Sequence, residues 1–234
     1  MKTIGIIGGM GPEASGDLFL KIVHETDADC DQKHIPVLMD SNTRISDRTA
    51  AILYGGPDPR PEMIKSAKRL EAAGADLLVM SCNTAHYFYD DIAKEISIPL
   101  LHMPRETAKA AKKAGVRRAA LLATSGTVKT NVYADAFRLE APEIELLTPN
   151  EAGQELVMQL IYDGVKKGRR DYPTEGILSV IHELTSRGAQ TFILGCTELP
   201  LAFENGQISA PALDPTLVLA RAAVLAAGAT LKRS

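Results

Sequence analysis

The chain has no basic run: its 26 Lys and Arg are scattered and outnumbered by 29 Asp and Glu, for a formal charge of −3 over 234 residues. That balance gives no field for gripping a polyanion, so nucleic acid is not an expected partner. No stretch approaches the roughly 20 apolar residues that cross a bilayer, and no membrane partner is expected either. Met1-Lys2-Thr3-Ile4-Gly5-Ile6-Ile7 leads straight into a strand-like pattern, with no separate apolar region and cleavage site, so the expectation is a cytoplasmic protein. Cysteine is scarce. Cys30, Cys82 and Cys196 make an odd number at wide spacing, which excludes a disulfide framework and a Cys-x-x-Cys metal or redox site. They read as free thiols, and the ordinary role of a free thiol is that of a small buried hydrophobe. No His stands at ligand spacing with the acidic stretch Glu25, Asp27, Asp29 and Asp31, which reads as a solvated face and not a metal site.

What is present is a core-forming chain, 45% apolar, long enough for one large domain or two small ones. Short apolar runs ending in Gly, Ser, Thr or Asn alternate with longer helical patterns, the signature of βαβ units around parallel sheets. Strands are predicted at 3–7, 36–40, 76–80, 99–102, 118–123, 144–147, 191–194 and 211–213, two sets of four. The two sets echo each other. Cys82 and Cys196 each lie eight residues after a glycine, Gly74 and Gly188, that closes a helical pattern. Pro61 and Pro173 stand near the openings of those two helices, and Pro99 and Pro211 near the next strands. The expected architecture is α/β, with two pseudo-symmetric domains, each a four-stranded parallel-type sheet flanked by helices, and a site in the cleft between them. The predicted division is 1–103 plus 214–234, carrying Cys82, and 104–213, carrying Cys196. The crossover falls near Pro104, and a helix over 215–231 is expected to pack back on the first half.

Both cysteines fall just beyond the carboxyl end of a predicted strand, where ligands bind in open α/β sheets. Cys82 opens the polar turn Cys82-Asn83-Thr84, and Cys196 opens Cys196-Thr197-Glu198. A thiol at a helix N-terminus meets free N–H groups and the positive end of the macrodipole, which lower its pKa towards neutrality and let it act as a base. The same N–H groups with Asn83, Thr84 and Thr197 can hold a carboxylate, although Asn and Thr there can equally be N-caps. Inversion at a carbon needs a proton removed from one face and another delivered to the opposite face. One cysteine per duplicated half meets that need.

Gly9, Gly11 and Ala14 satisfy the Gly-x-Gly-x-x-Ala dinucleotide pattern, with Asp40 in place to bind a ribose, but alone that pattern is weak. The alternative is that these glycines let a loop approach a small ligand while Pro12 starts a helix. In the second half, Thr124, Ser125 and Thr127 occupy the corresponding place and offer hydroxyls to a small polar substrate.

The segments IGIIGGMGPEAS at 4–15, DRTAAIL at 47–53, DPRPEMI at 58–64, SCNTAH at 81–86, LLATSGT at 121–127 and GCTELP at 195–200 together resemble the aspartate/glutamate racemase superfamily, and most closely its aspartate racemases. The resemblance covers essentially the whole chain. It implies a racemase that uses neither pyridoxal phosphate nor metal, usually a homodimer, acting on a small amino dicarboxylate. Cys82 and Cys196 take the places of the two acid/base cysteines, and Arg48 and Lys166 those of the groups that hold the side-chain carboxylate. Met10-Gly11 stands where glutamate racemases carry an Asp-Ser pair, and Glu198 where they carry His; both differences favour the aspartate branch. The expected substrate-binding set is therefore Met10, Arg48, Asn83, Thr84, Thr124, Ser125, Thr127, Lys166, Thr197 and Glu198. The expected activity is interconversion of L- and D-aspartate. Its rivals are a glutamate or broad-specificity racemase, a cousin such as a maleate isomerase or malonate decarboxylase, and a two-lobed small-acid binding protein. His86, four positions past Cys82, reads as packing or capping, and Cys30 as an exposed bystander.

Overall fold

A computed structural model describes residues 1–169 and 171–233; Arg170 and Ser234, which the predicted division includes, lie outside them. In chain order the elements are β1 (Ile4–Gly8), α1 (Pro12–Glu25), β2 (Val37–Ser41), α2 (Arg48–Tyr54), α3 (Arg60–Ala72), β3 (Leu77–Met80) and a 3₁₀ turn (Thr84–Phe88) running into α4 (Tyr89–Ala93). Then come α5 (Met103–Lys113), β4 (Arg118–Ala123), α6 (Ser125–Lys129), α7 (Val132–Glu140), β5 (Glu145–Leu147) and α8 (Glu151–Gln159). A π-helical turn (Leu160–Gly164) and a 3₁₀ turn (Val165–Lys167) follow, then α9 (Glu175–Ser186), β6 (Thr191–Gly195), α10 (Leu199–Asn205), β7 (Ala212–Leu213) and α11 (Pro215–Ala226).

The apolar runs became buried strands: β1, β3 and β6 are buried at every position, as parallel strands covered on both faces must be. They form two parallel sheets, in the orders β2-β1-β3 and β5-β4-β6-β7. β1 and β4 are the matching central strands. The repeated glycines are explained by backbone geometry, since Gly74 (φ 96°) and Gly188 (φ 91°) take the left-handed conformation just after α3 and α9.

One predicted strand is cut down. The stretch 99–102 is not a strand of the first sheet; only Leu100 pairs, as an isolated parallel bridge to Leu78. Pro99 has no N–H to give a ladder, and His102 is drawn away to cap α5, its ring accepting the Arg105 N–H. The first sheet therefore has three strands and the second four.

The helix predicted over 215–231 ends at Ala226, with Gly228 in a left-handed conformation beyond it. Its Leu219, Ala220, Ala223 and Val224 are fully buried with Ile4, Leu18, Ile22 and Val79. Among the described residues no helix is long and apolar enough to cross a membrane.

Candidate active site

The site is built at the carboxyl ends of β1, β3, β4 and β6. Ser81 anchors the first cysteine turn: its N–H donates to the Ile7 carbonyl at 3.2 Å, and its hydroxyl meets that of Ser15 at 2.8 Å. Cys82, Asn83 and Thr84 follow. On the other sheet Thr124 leaves β4 as the N-cap of α6, and Cys196, Thr197 and Glu198 leave β6. The start of α2 adds Arg48, capped by Asp47, and the turns after α8 add Tyr162 and Lys166. Ten of the twelve expected site residues, Cys82, Cys196, Met10, Arg48, Asn83, Thr84, Thr124, Lys166, Thr197 and Glu198, line one cleft, together with Asp47, Thr49 and Tyr162. The room between them is about 10 Å³, on the order of one water molecule.

Two expected residues are not brought into it. Ser125 faces a groove on the other side, where its hydroxyl accepts from Gln154 at 3.3 Å. Thr127 is fully buried behind the cleft, and it closes a triangle of hydroxyls with Thr84 (2.8 Å) and Thr124 (3.1 Å), the Thr84–Thr124 side being 3.0 Å. The reason is local: α6 starts at once, and its first turn points successive side chains in different directions.

The two cysteines are each 6% exposed but meet opposite charges. Cys196 Sγ–H donates to Glu198 Oε2 at 2.9 Å, and Glu198 Oε1 pairs with Lys166 Nζ at 2.6 Å. Burial and then the Glu198 charge push the Cys196 thiol well above the ordinary thiol range, against the smaller opposing pull of Lys166. This reverses the expected lowering for Cys196. The thiol lies three residues before α10, outside the helix end, and the nearest charge is the carboxylate that folds back on it. Glu198 is itself held below its usual range: burial acts to raise it, and Lys166 with the hydrogen bonds from Cys196 and Lys166 outweighs that. Burial also acts to lower Lys166, but Glu198 and Cys196 raise it overall. The three groups thus stand as thiol, carboxylate and ammonium.

Beside Cys82 the neighbouring charge is a cation, Arg48. Arg48 is 7% exposed. Burial disfavours its charge, and the Cys82 sulfur, followed by the Asp47 and Glu198 carboxylates, more than offsets this. Its Nη2 donates to the Met10 carbonyl at 2.8 Å and its Nη1 to the Ser46 carbonyl at 3.0 Å, while Nε is buried without a protein partner. Asn83 Nδ2 is the second buried donor without a partner at this site.

Tyr133 and the cleft residues Asp47, Thr49 and Tyr162 were not among the expected site residues. Tyr133, fully buried, donates its hydroxyl to Asn83 Oδ1 at 2.5 Å. Tyr162 donates to Asp47 Oδ2 at 3.2 Å, and Lys166 Nζ lies 5.7 Å from the Tyr162 ring centre. Tyr162 had a local signal, because it stands four residues before Lys166 in the run Tyr162-Asp163-Gly164-Val165-Lys166. Tyr133 had none. His86 supports the Cys82 turn from below: Nε2 accepts the Met103 N–H at 3.1 Å, which leaves the proton on Nδ1 to donate to the Cys82 carbonyl at 2.9 Å. Cys30 is exposed. Asp40 is engaged by Arg69 at 2.6 Å, and Gly9 (φ 87°) is required by the chain itself, since a Cβ there would fall 2.4 Å from the Asn42 backbone.

Two parallel sheets of matching order, each sending one buried cysteine from its carboxyl edge into a shared polar cleft, define a two-lobed α/β protein with a thiol-bearing site. Residues 7–223 match the family model described as Asp/Glu/Hydantoin racemase, and the chain belongs to that family. It is a racemase-type isomerase. The fold is similar to that of Picrophilus torridus aspartate racemase, with a TM-score of 0.85 and 32% identity, covering 99% of this chain and 96% of that one. An aspartate racemase homologue from Pyrococcus horikoshii OT3 gives a TM-score of 0.76 and 28% identity, covering 97% and 100%. In sequence the chain is 26% identical over 227 residues to the broad specificity amino-acid racemase RacX of Bacillus subtilis (strain 168), covering 94% of this chain and 96% of the relative.

Proposed function

We propose that the protein interconverts L- and D-aspartate without a cofactor, Cys82 and Cys196 serving as the two acid/base groups on opposite faces of Cα. The observation that carries this reading is the pair of buried cysteines, one from each sheet, lining one cleft with a cation beside Cys82 and a carboxylate beside Cys196. In one direction Cys82, as thiolate, takes the α-proton, and the electron pair left on Cα is delocalised into the α-carboxylate. Cys196 then gives its thiol proton to the opposite face. The Cα–H bond broken is matched by the Cα–H bond formed, and the two sulfurs exchange protonation states. Cys196 suits the donor role because it carries its hydrogen in the resting site, on a bond to Glu198 that it exchanges for Cα when substrate is bound.

An α-hydrogen is far less acidic than a thiol, so donors must meet charge as it develops. Asn83, whose Nδ2 has no protein partner, serves as such a donor; Thr84, Thr124 and Thr197 join it by giving up hydroxyl bonds to one another, Thr127 and Glu198. Arg48 and Lys166 hold the side-chain carboxylate, with Met10 shaping the wall and Glu198 sharing Lys166. A second reading, broader specificity, has its own support: a groove of about 440 Å³ walled by Gly11, Pro12, Val165 and Leu201 adjoins Lys166 and Glu198 and gives room to a longer side chain. The three free thiols suit a reducing compartment, and we place the protein in the cytoplasm as a homodimer.

The test is incubation of purified protein with a panel of L- and D-amino acids in deuterium oxide, followed by chiral chromatography and mass measurement. Aspartate is expected to racemise with one deuterium incorporated at Cα, undiminished by a chelator. No racemisation of any amino acid, or a requirement for pyridoxal phosphate, would overturn the proposal.

A further inference from the structure

Asn83 presents two chemically opposite ends, since its Oδ1 only accepts and its Nδ2 only donates. A carboxylate only accepts, so this side chain serves one in a single amide orientation and repels it in the flipped one. Asn83 is 1% exposed and lines the cleft next to Cys82, and its Nδ2 is buried with no protein partner. The opposite end of the amide is taken by Tyr133, which comes from α7 and reaches Asn83 across 50 residues of sequence. The tyrosine hydroxyl donates to Oδ1, which leaves Nδ2 as the end of the amide without a protein partner. Tyr133 itself is fully buried and does not line the cleft.

We propose that Tyr133 is a positioning residue for the racemisation: by donating to Oδ1 it locks the Asn83 amide so that Nδ2 points into the cleft as a donor to the substrate's carboxylate. The inference rests on the function proposed above. Charge flows into the carboxylate as the α-proton leaves, so a hydrogen bond to it strengthens in the transition state and its loss appears chiefly in kcat.

Tyr133→Phe removes one oxygen atom and keeps the ring. On the amino acid that the wild type racemises best, this variant is expected to lose about tenfold in kcat, with KM changed by less than about threefold. Asn83→Ala should lose at least as much, and the double variant no more than Asn83→Ala alone, because the tyrosine acts only through the amide. Wild-type kinetics in Tyr133→Phe, or losses that multiply in the double variant, would overturn the proposal. A second readout needs no turnover. In protein labelled with ¹⁵N-asparagine, the Asn83 side-chain amide should give one sharp pair of signals in the wild type, and a doubled or broadened pair in Tyr133→Phe. A doubled pair in the wild type, or one sharp pair in both proteins, overturns the lock whatever the activity. Failure of the wild type to racemise anything counts instead against the proposed function.

Discussion

Cys196 and Glu198, two residues apart, are joined by a bond from Sγ to Oε2 of 2.9 Å, which sets a thiol proton against a carboxylate whose other oxygen holds Lys166 at 2.6 Å. The carboxylate keeps Cys196 protonated and keeps the charge of Lys166 partly spoken for. Glu198→Gln retains the shape and removes the negative charge, so the Cys196 thiol should fall back towards its ordinary range. The expected result is faster alkylation of Cys196 by iodoacetamide at pH 8, followed by peptide mass spectrometry, together with an equal fall in kcat/KM for both enantiomers, since racemisation ties the two directions together. An unchanged alkylation rate would detach Glu198 from the thiol.

The cysteines divide the labour by face. Cys82→Ala and Cys196→Ala should each abolish racemisation, since neither direction can finish without both a base and an acid. Each should still exchange deuterium into one enantiomer with retention, and the two variants should label opposite enantiomers. Cys30→Ala, altering an exposed residue, should keep wild-type rates. Racemisation at the wild-type rate in either single variant of the cleft pair would leave the thiols as packing.

Arg48 is tied to the Met10 and Ser46 carbonyls as well as facing the cleft, so its geometry matters along with its charge. Arg48→Ala and Lys166→Ala should each lower kcat/KM for aspartate by about 10- to 100-fold, as loss of a charge-assisted bond does. Arg48→Lys keeps the charge but lacks the planar fork that spans two carbonyls, and should be nearly as impaired. Full activity in Arg48→Lys would show that charge alone is used.

His86 and His102 both accept backbone N–H groups from the start of α5, and an imidazolium accepts nothing. Burial drives His86 down to about 4 and His102 down to about 3, against about 6.5 for the unfolded chain. The folded state therefore binds fewer protons than the unfolded state between these values. Stability from this pair is complete above about pH 6.5 and declines as pH falls towards 4. His86→Gln can donate and accept without titrating. Its Tm should drop less steeply between pH 7 and pH 4.5 than that of the wild type; parallel curves would refute the assignment.

Much of the molecule is written in short-range pattern. The glycine eight residues before each cysteine is a backbone requirement at the end of α3 and α9, so the duplication could be read without a structure. The strands buried on both faces announced themselves as apolar runs. What escaped depends on folding back or on distance. The predicted strand at 99–102 looked sound by composition, but Pro99 and the capping role of His102 allowed only Leu100 to pair. Thr127 and Ser125 share a segment with Thr124, yet the first turn of α6 carries one behind the cleft and the other to a separate groove. The rise in the Cys196 pKa arises because Glu198 curls back across a turn, which a helix-terminus argument does not contain. Tyr133 and Tyr162 meet Asn83 and Asp47 across 50 and 115 residues, and nothing local marks either pairing.

The narrowness of the cleft has an isotopic consequence. A space of about 10 Å³ is far less than an amino acid needs, so the cleft must widen to take substrate and has little room left over for water. A carbanion held there would be reprotonated either by the hydrogen it had just lost or by the one waiting on the opposite sulfur. Solvent label would reach the thiols chiefly when the cleft opens. The ratio of deuterium in recovered substrate to deuterium in inverted product would then record how often the cleft opens during the lifetime of each proton-transfer event, making the label a clock for breathing as well as for chemistry.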